Sequence, residues 1–263
     1  MRWLLLAVAV VSLLLAVPGR ARIEGGRSVE TTFTVFAAAS LRDVFTMLGT
    51  AFDRAHPGVT VRFNFAGSQD LRTQLEHGAP ADVFASADTR QMALARSAGL
   101  VEAPLPFATN APVIVVPADA PGRVRTLEDL TTVKRLVVGA PEVPIGAYTA
   151  QILERARARF GADFPARVEA RVVSRELNVR QVLTKVMLGE ADAGIVYRTD
   201  ARRAGERVRV VEIPPELNVI ADYPIAPVAR SRQQELVRQW IALVTGPEGQ
   251  AVLSRAGFGG PSR

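Results

Sequence analysis

The chain predicts an α/β fold with mostly parallel sheets, on three observations. Segments rich in β-branched and aromatic residues alternate with segments of helical apolar spacing almost from end to end. Gly or Pro closes one helical segment after another, at Pro57-Gly58, Gly99 and Gly189. The 263 residues contain no cysteine, so a large apolar core, rather than disulfides, must hold the chain together.

The N-terminus is read apart from the fold. Met1-Arg2-Trp3, the apolar run Leu4–Val17 and Pro18-Gly19-Arg20-Ala21 have the basic, apolar and small-residue regions of a secretory signal peptide over 1–21. The run is shorter than the ~20 apolar residues of a spanning helix, which disfavours an uncleaved anchor. Ile23–Glu30 shows no apolar period and reads as a frayed leader.

Thr32–Ala37 alternates and is rich in β-formers, a first strand. Leu41–His56 carries Leu41, Val44, Phe45, Leu48 and Phe52 at helical spacing. Val61–Phe65 is a second strand, followed by a helix with Ser68 in the N-cap position, a strand at Asp82–Ala85 and a helix over Thr89–Ala98. Phe107–Pro117 reads as a polar turn leading into an apolar strand, and Thr126 caps a short helix with Asp129 three residues on. Next come a strand at Leu136–Ala140, a helix over Tyr148–Phe160, a strand at Arg167–Val173 and a helix over Arg180–Leu188 capped by Asn178. Ala193–Tyr197 is a strand, Thr199–Ala204 a short helix, Val208–Ile213 a strand and Tyr223–Val228 an extended segment. The chain ends in the helix Gln233–Thr245, with Leu236, Trp240 and Val244 on one face, and a last helix to Ala256. Turn-rich joins near Phe107–Pro112 and Leu217–Pro224 suit two lobes between which the chain crosses twice: 31–108 with 222–263, and 109–221.

Composition excludes several function classes. Without cysteine there is no thiolate metal site, cysteine nucleophile or lipobox. The formal charge of +6 falls to +4 once Arg2 and Arg20 leave with the leader. The basic residues are scattered among acids with no aromatic interleaving, so no nucleic-acid surface is expected.

The residues that point to chemistry sit at strand-to-helix corners. In doubly wound sheets ligands bind outside the carboxyl ends of strands, where helix N-termini present unpaired N–H groups and a partial positive charge. Ser40 and Ser68 offer hydroxyls at two corners, Pro144-Ile145-Gly146 bare N–H groups at a third, and Asn178-Val179 a capped start at a fourth. Tyr197, ending its strand, adds a phenol. If these converge, they form a neutral, donor-rich cage suited to a fully ionised tetrahedral oxyanion. Each is individually compatible with an ordinary cap, turn or half-buried aromatic.

FAAASL (Phe36–Leu41), FNFAGSQDL with GAPADVFASAD (Phe63–Asp88), VPIGAYT (Val143–Thr149) and ELNVRQVLTKVMLGEADAGIVY (Glu176–Tyr197) closely resemble the periplasmic molybdate-binding proteins of ABC transporters. The resemblance runs from about Phe33 to about Phe258, with the motifs in the family's order. It implies a two-lobed type II periplasmic-binding-protein fold with helices on both sheet faces and a ligand cleft between lobes. It further implies Ser40, Ser68 and Tyr197 as side-chain donors and Ile145 and Val179 as backbone donors. Ile145 is bulkier than the residue some members carry there, which bears on cleft shape. The implied function is capture of molybdate or tungstate by a periplasmic monomer for a membrane permease, without cofactor, direct metal ligands or catalysis.

Other readings are weighed against this one. A sulfate or phosphate binder would share the cage, and a buried acceptor such as Asp43 or Asp70 would favour phosphate, which carries a proton. A ferric-iron binder would bring adjacent tyrosines, and none exist. A hydrolase would need a nucleophile elbow that Ala66-Gly67-Ser68-Gln69-Asp70 lacks, and the only two histidines, His56 and His77, end helices. A transcription-regulator effector domain is disfavoured by the leader and by missing DNA-binding helices.

Overall fold

The computed structural model describes residues 30–119 and 124–262. The expected signal peptide and leader therefore lie outside the described residues, apart from Glu30. β1 (Thr31–Ala38) runs through a 3-10 turn (Ala39–Leu41) into α1 (Arg42–Ala55), β2 (Val59–Ala66) into α2 (Ser68–Glu76), and β3 (Val83–Ala85) into α3 (Thr89–Ser97). β4 (Leu105–Asn110) is followed by β5 (Pro112–Pro117), β6 (Leu136–Gly139), α4 (Pro144–Phe160), α5 (Phe164–Glu169), β7 (Val172–Glu176) and α6 (Val179–Met187). β8 (Ala193–Tyr197), α7 (Arg198–Ala204), β9 (Val208–Val211), β10 (Ala221–Pro227), α8 (Gln234–Thr245) and α9 (Pro247–Ala256) complete the chain.

The strands form two five-stranded sheets, ordered β2-β1-β3-β10-β4 and β7-β6-β8-β5-β9. Both are mixed. β1 pairs parallel with β2 and β3, and β6 with β7 and β8, as βα crossovers require. The antiparallel pairings, which make up the other half, all involve β10 and β5. These two strands carry the chain between sheets: only Ala111 separates β4 from β5, and β10 returns after the loop that follows β9. A strand entering from the neighbouring sheet runs against the βα units already there, so the sheets are mixed rather than mostly parallel.

Helices cover both faces of the first sheet. On β1, Phe33, Val35 and Ala37 face one side with α1 and Trp240, while Phe36 faces the other with Leu71 and Leu75 of α2 and Met92 and Ala95 of α3. Trp240 is fully buried at the centre of an aromatic cluster, with ring centroids 5.5 Å from Phe45 and Phe52, 5.7 Å from Phe63 and 6.3 Å from Phe33.

Three local readings are corrected. Arg167–Val173 is not one strand: Gly161 ends α4 at φ 100°, Pro165 opens α5, and Phe164 and Val168 bury one helical face. The strand begins only at Val172. Phe107–Asn110 is not a turn but the end of β4, paired antiparallel with β10. Thr126 does not cap the 3-10 helix Glu128–Thr131; instead the Asp129 carboxylate accepts from the backbone N–H groups of Arg125 and Thr126 (both 2.9 Å) and from the Thr126 hydroxyl (3.0 Å).

Trp240→Ala is expected to cost about 3–5 kcal/mol in urea unfolding, through lost burial and the cavity left among four phenylalanines. Trp240→Phe is expected to cost less than half as much, because the indole N–H has no hydrogen-bond partner among the described residues.

Candidate functional site

The parallel strands of both sheets end toward one place. β1, β2 and β3 deliver the corners at Ser40, Ser68 and Ala87, and β6, β7 and β8 deliver Ile145, Val179 and Tyr197. These six residues line a single small cavity with no more than about 220 Å³ of empty space. That is below the ~300 Å³ at which pockets begin to take drug-sized organic ligands. Ser40, Ser68, Ile145, Val179 and Tyr197 are each at most 4% exposed. The structure thus brings together the five residues expected as donors.

Local structure decides which groups are free to donate. At α6 the Asn178 side chain accepts from the N–H groups of Arg180 (3.0 Å) and Gln181 (3.2 Å), which leaves Val179 as the unclaimed first-turn donor. α4 begins at Pro144 rather than Tyr148. Proline brings no N–H, and the first backbone bond runs from Ala147 to Val143 at 2.9 Å. The Ile145 and Gly146 N–H groups stay in the open first turn. Gly146 is required here, because a Cβ would clash with the Ala140 carbonyl oxygen. The Ile145 side chain is buried against Gly139, so its bulk lies in the core.

Ser68 is not the cap of α2. Gly67 takes the N-cap position, Leu71 N–H bonds its carbonyl at 3.0 Å, and Ser68 is the first helical residue. Its hydroxyl oxygen accepts from Ala87 N–H at 3.0 Å. The Ser40 hydroxyl is 3.0 Å from the Tyr223 hydroxyl. The Tyr197 hydroxyl is buried and has no hydrogen-bond partner among the described residues. Burial, reinforced by Tyr223, Tyr148 and nearby carboxylates, holds its pKa well above the usual phenol value, so it stays protonated and can donate.

No charged side chain lines the cavity, and the Asn178 amide oxygen is already engaged. Asp43 and Asp70, the candidate acceptors, are both absent from its wall. Asp43 instead pairs across the two sheets with Arg180 of α6 and Arg203 of α7, each at 2.7 Å. Burial raises the Asp43 pKa, but the hydrogen bonds and charges of Arg180 and Arg203 outweigh it and hold the carboxyl below its usual range. Arg180 also meets fully buried Asp200 at 2.6 Å, whose pKa burial pushes up to about 6 against the pull of Arg180. Among the described residues no group of three or more His, Cys, Asp or Glu could hold a metal ion directly.

Further contacts tie the two halves together. Gln69 Nε2 donates to the Leu177 carbonyl (2.8 Å), and Gln91 Nε2 to the Glu142 carbonyl (2.9 Å). A Cβ at Gly67 would clash with that same Leu177 carbonyl oxygen, so glycine sets how closely α2 approaches the β7–α6 corner. Sequence reasoning missed Tyr223, Ala87 and the Asp43–Arg180 pair. The Tyr223 and Arg180 contacts join residues 183 and 137 positions apart and leave no local pattern.

Gly67→Ala is expected to hold the two halves apart while leaving each intact. Amide hydrogen exchange should quicken at residues 67–70 and 177–181, with the unfolding free energy changed by no more than about 1 kcal/mol. Unaltered exchange at both segments would show that the approach is not set at Gly67.

Comparison with known proteins fits this geometry. The family profile described as bacterial extracellular solute-binding protein matches residues 33–259. A protein of Mycobacterium tuberculosis (strain H37Rv) named molybdate-binding protein ModA is 40% identical over 99% of this chain and all of its own. Among solved structures, the periplasmic molybdate-binding protein of Azotobacter vinelandii superposes with a TM-score of 0.75 at 20% identity, over 88% of this chain and 100% of that one. The sulfate-binding protein SubI of M. tuberculosis H37Rv superposes with a TM-score of 0.76 at 23% identity, over 87% and 86%. The structural likenesses establish the fold, and the profile establishes the family: this chain belongs to the bacterial extracellular solute-binding proteins, components that bind a solute and are not enzymes.

Proposed function

We propose that the protein captures molybdate, and tungstate as its near-isostere, and hands it to the membrane permease of an ABC transporter. The observation that carries this reading is the uncharged, buried cavity where Ser40, Ser68 and Tyr197 hydroxyls meet the Ile145 and Val179 N–H groups. The 40% identity to a protein named as molybdate-binding supports the choice of anion.

A dianion stripped of water is tolerable only where each oxygen finds donors. The donors here are neutral and attached to rigid strand ends and helix starts, so they need little reorganisation. Phosphate at neutral pH keeps a proton and calls for an acceptor, and no carboxylate lines the wall to take it. Sulfate has no proton, so it must be rejected by size, in a cage fitted to longer metal–oxygen bonds. The two sheets with their helices act as lobes, 31–108 with 222–263 and 109–221, that part to admit the anion and close over it. The Asp43–Arg180 pair and the Gln69 and Gln91 bonds serve as the latch. The protein works in the periplasm as a monomer, without cofactor and without nucleic acid.

Thermal unfolding of the chain from Ile23 onward tests this directly. Molybdate or tungstate at 100 times its dissociation constant should add about 2.7 kcal/mol of apparent stability, a rise of about 5–10 °C. Sulfate and phosphate at equal concentration should add little. Ser40→Ala and Ser68→Ala should each weaken molybdate binding about 10- to 100-fold by titration calorimetry, as loss of a hydrogen bond to a charged group predicts. A shift with sulfate alone would change the assigned anion; no shift with any of the four would overturn the proposal.

A further inference from the structure

We propose that Asp200 is a positioning residue: it aims Arg180 of its own half at the Ser40 corner of the other half, and so governs how long the two halves stay closed over the anion. The inference rests on the reading above, in which the halves close over an oxyanion, and concerns what makes the closed form last.

Asp200 is fully buried and takes no part in the cavity wall. As an acid in the first turn of α7 it suits the helix start, but an exposed acid would serve there equally well. A carboxylate taken out of water is costly unless a partner compensates it. Arg180 is that partner, with Nε 2.6 Å from Asp200 Oδ1.

This ion pair decides where the rest of the guanidinium goes. The group is planar and its N–H directions form a fixed fork, so holding Nε constrains the aim of the other nitrogens. Nη2 crosses to the other half, where it donates to Asp43 Oδ2 at 2.7 Å and to the Ser40 carbonyl at 3.4 Å. Arg180 directly follows Val179, and Ser40 and Asp43 belong to one corner. A single side chain, from behind the wall, therefore joins a backbone-donor corner of one half to a hydroxyl-donor corner of the other. Arg203 also reaches Asp43 at 2.7 Å, but its side chain is 49% exposed against 17% for Arg180, so water and salt weaken that contact more.

The two carboxylates differ in what they depend on. Asp200 on α7 and Arg180 on α6 share a half, so their pairing persists when the halves part, whereas the contact with Asp43 on α1 requires closure. An arginine already held loses less side-chain freedom on closing than one that must be ordered from solvent. The bridge to Asp43 forms after the anion has entered, so weakening it speeds release and leaves capture unchanged.

Release is read by chasing radiolabelled molybdate with unlabelled molybdate, and affinity by calorimetric titration; the two together give the association rate. Asp200→Asn keeps the shape and removes the charge. It should release molybdate about tenfold faster, with association within about twofold of wild type. The ligand-free chain should melt within about 4 °C of wild type. Asp43→Asn should also speed release about tenfold, and the double variant should release no more than about twofold faster than Asp43→Asn alone, because Asp200 acts through that contact. A role confined to starting α7 or to folding would make the two effects independent, and they would multiply. Multiplying effects, or release from Asp200→Asn within about twofold of wild type, would overturn the proposal. If Asp200→Asn fails to fold, Arg180→Lys is the test: an ammonium has no fork with which to span both carboxylates, so release should again quicken about tenfold, and an unchanged rate would overturn the bridge. If the wild-type chain binds sulfate instead of molybdate, only the assigned anion fails, and the same rates are read with radiolabelled sulfate. A wild-type chain binding none of molybdate, tungstate, sulfate and phosphate overturns both readings.

Discussion

The structure depends on one constraint: the carboxyl ends of six parallel strands, three from each sheet, must meet around a space too small for a drug-sized organic ligand. Strand-to-helix corners leave N–H groups without backbone partners, and such groups are costly when buried away from water. Bringing several corners together concentrates unmet donors instead of dispersing them. The composition of the corners follows. Ala38, Ala39, Ala66, Gly67 and Ala87 line the cavity because larger side chains would separate the strand ends. Gly146 lets α4 start against the end of β6 for the same reason.

Capping then works by subtraction. Asn178 takes two N–H groups of α6 and leaves Val179, and Pro144 removes one donor from α4 outright. Arg180, one residue beyond the Val179 donor, is held by Asp43 and Asp200. The cavity therefore faces its ligand with oriented dipoles and no net charge. An arginine free to enter would attract any anion regardless of shape or protonation, whereas fixed dipoles favour the one whose oxygens match their positions.

What was legible in the sequence was what local chemistry encodes. Alternation over Thr32–Ala37, helical spacing in α1 and the Asn178 cap are written in neighbouring residues, and so were the five candidate residues at their corners. Errors arose where tertiary pairing outweighed local pattern. Phe107–Asn110 looked like a turn because its partner, β10, lies more than a hundred residues away. Arg167–Val173 looked like a strand because Val168 and Val172 are β-formers, yet Phe164 and Val168 bury a helical face. Ser68 looked like a cap because of its type, but its hydroxyl is claimed by Ala87 N–H, contributed by the corner after β3. Convergence of the five residues had no local signature at all.

Selectivity is the least legible property, because it resides in protons rather than in residue types. A sulfate-binding and a molybdate-binding protein share this backbone arrangement equally well, so the fold leaves the anion open. The residue types Ser, Ser and Tyr leave it open too, since each hydroxyl can donate or accept. Selectivity therefore depends on how the hydroxyls are held: the Ser68 oxygen accepts from Ala87 N–H, and the Ser40 hydroxyl pairs with the Tyr223 hydroxyl at 3.0 Å. Tyr223 lies outside the motifs that mark the site, whereas Ala87 lies within GAPADVFASAD. Substitutions that never touch the ligand can therefore alter how these hydroxyls are held while the composition of the wall stays the same.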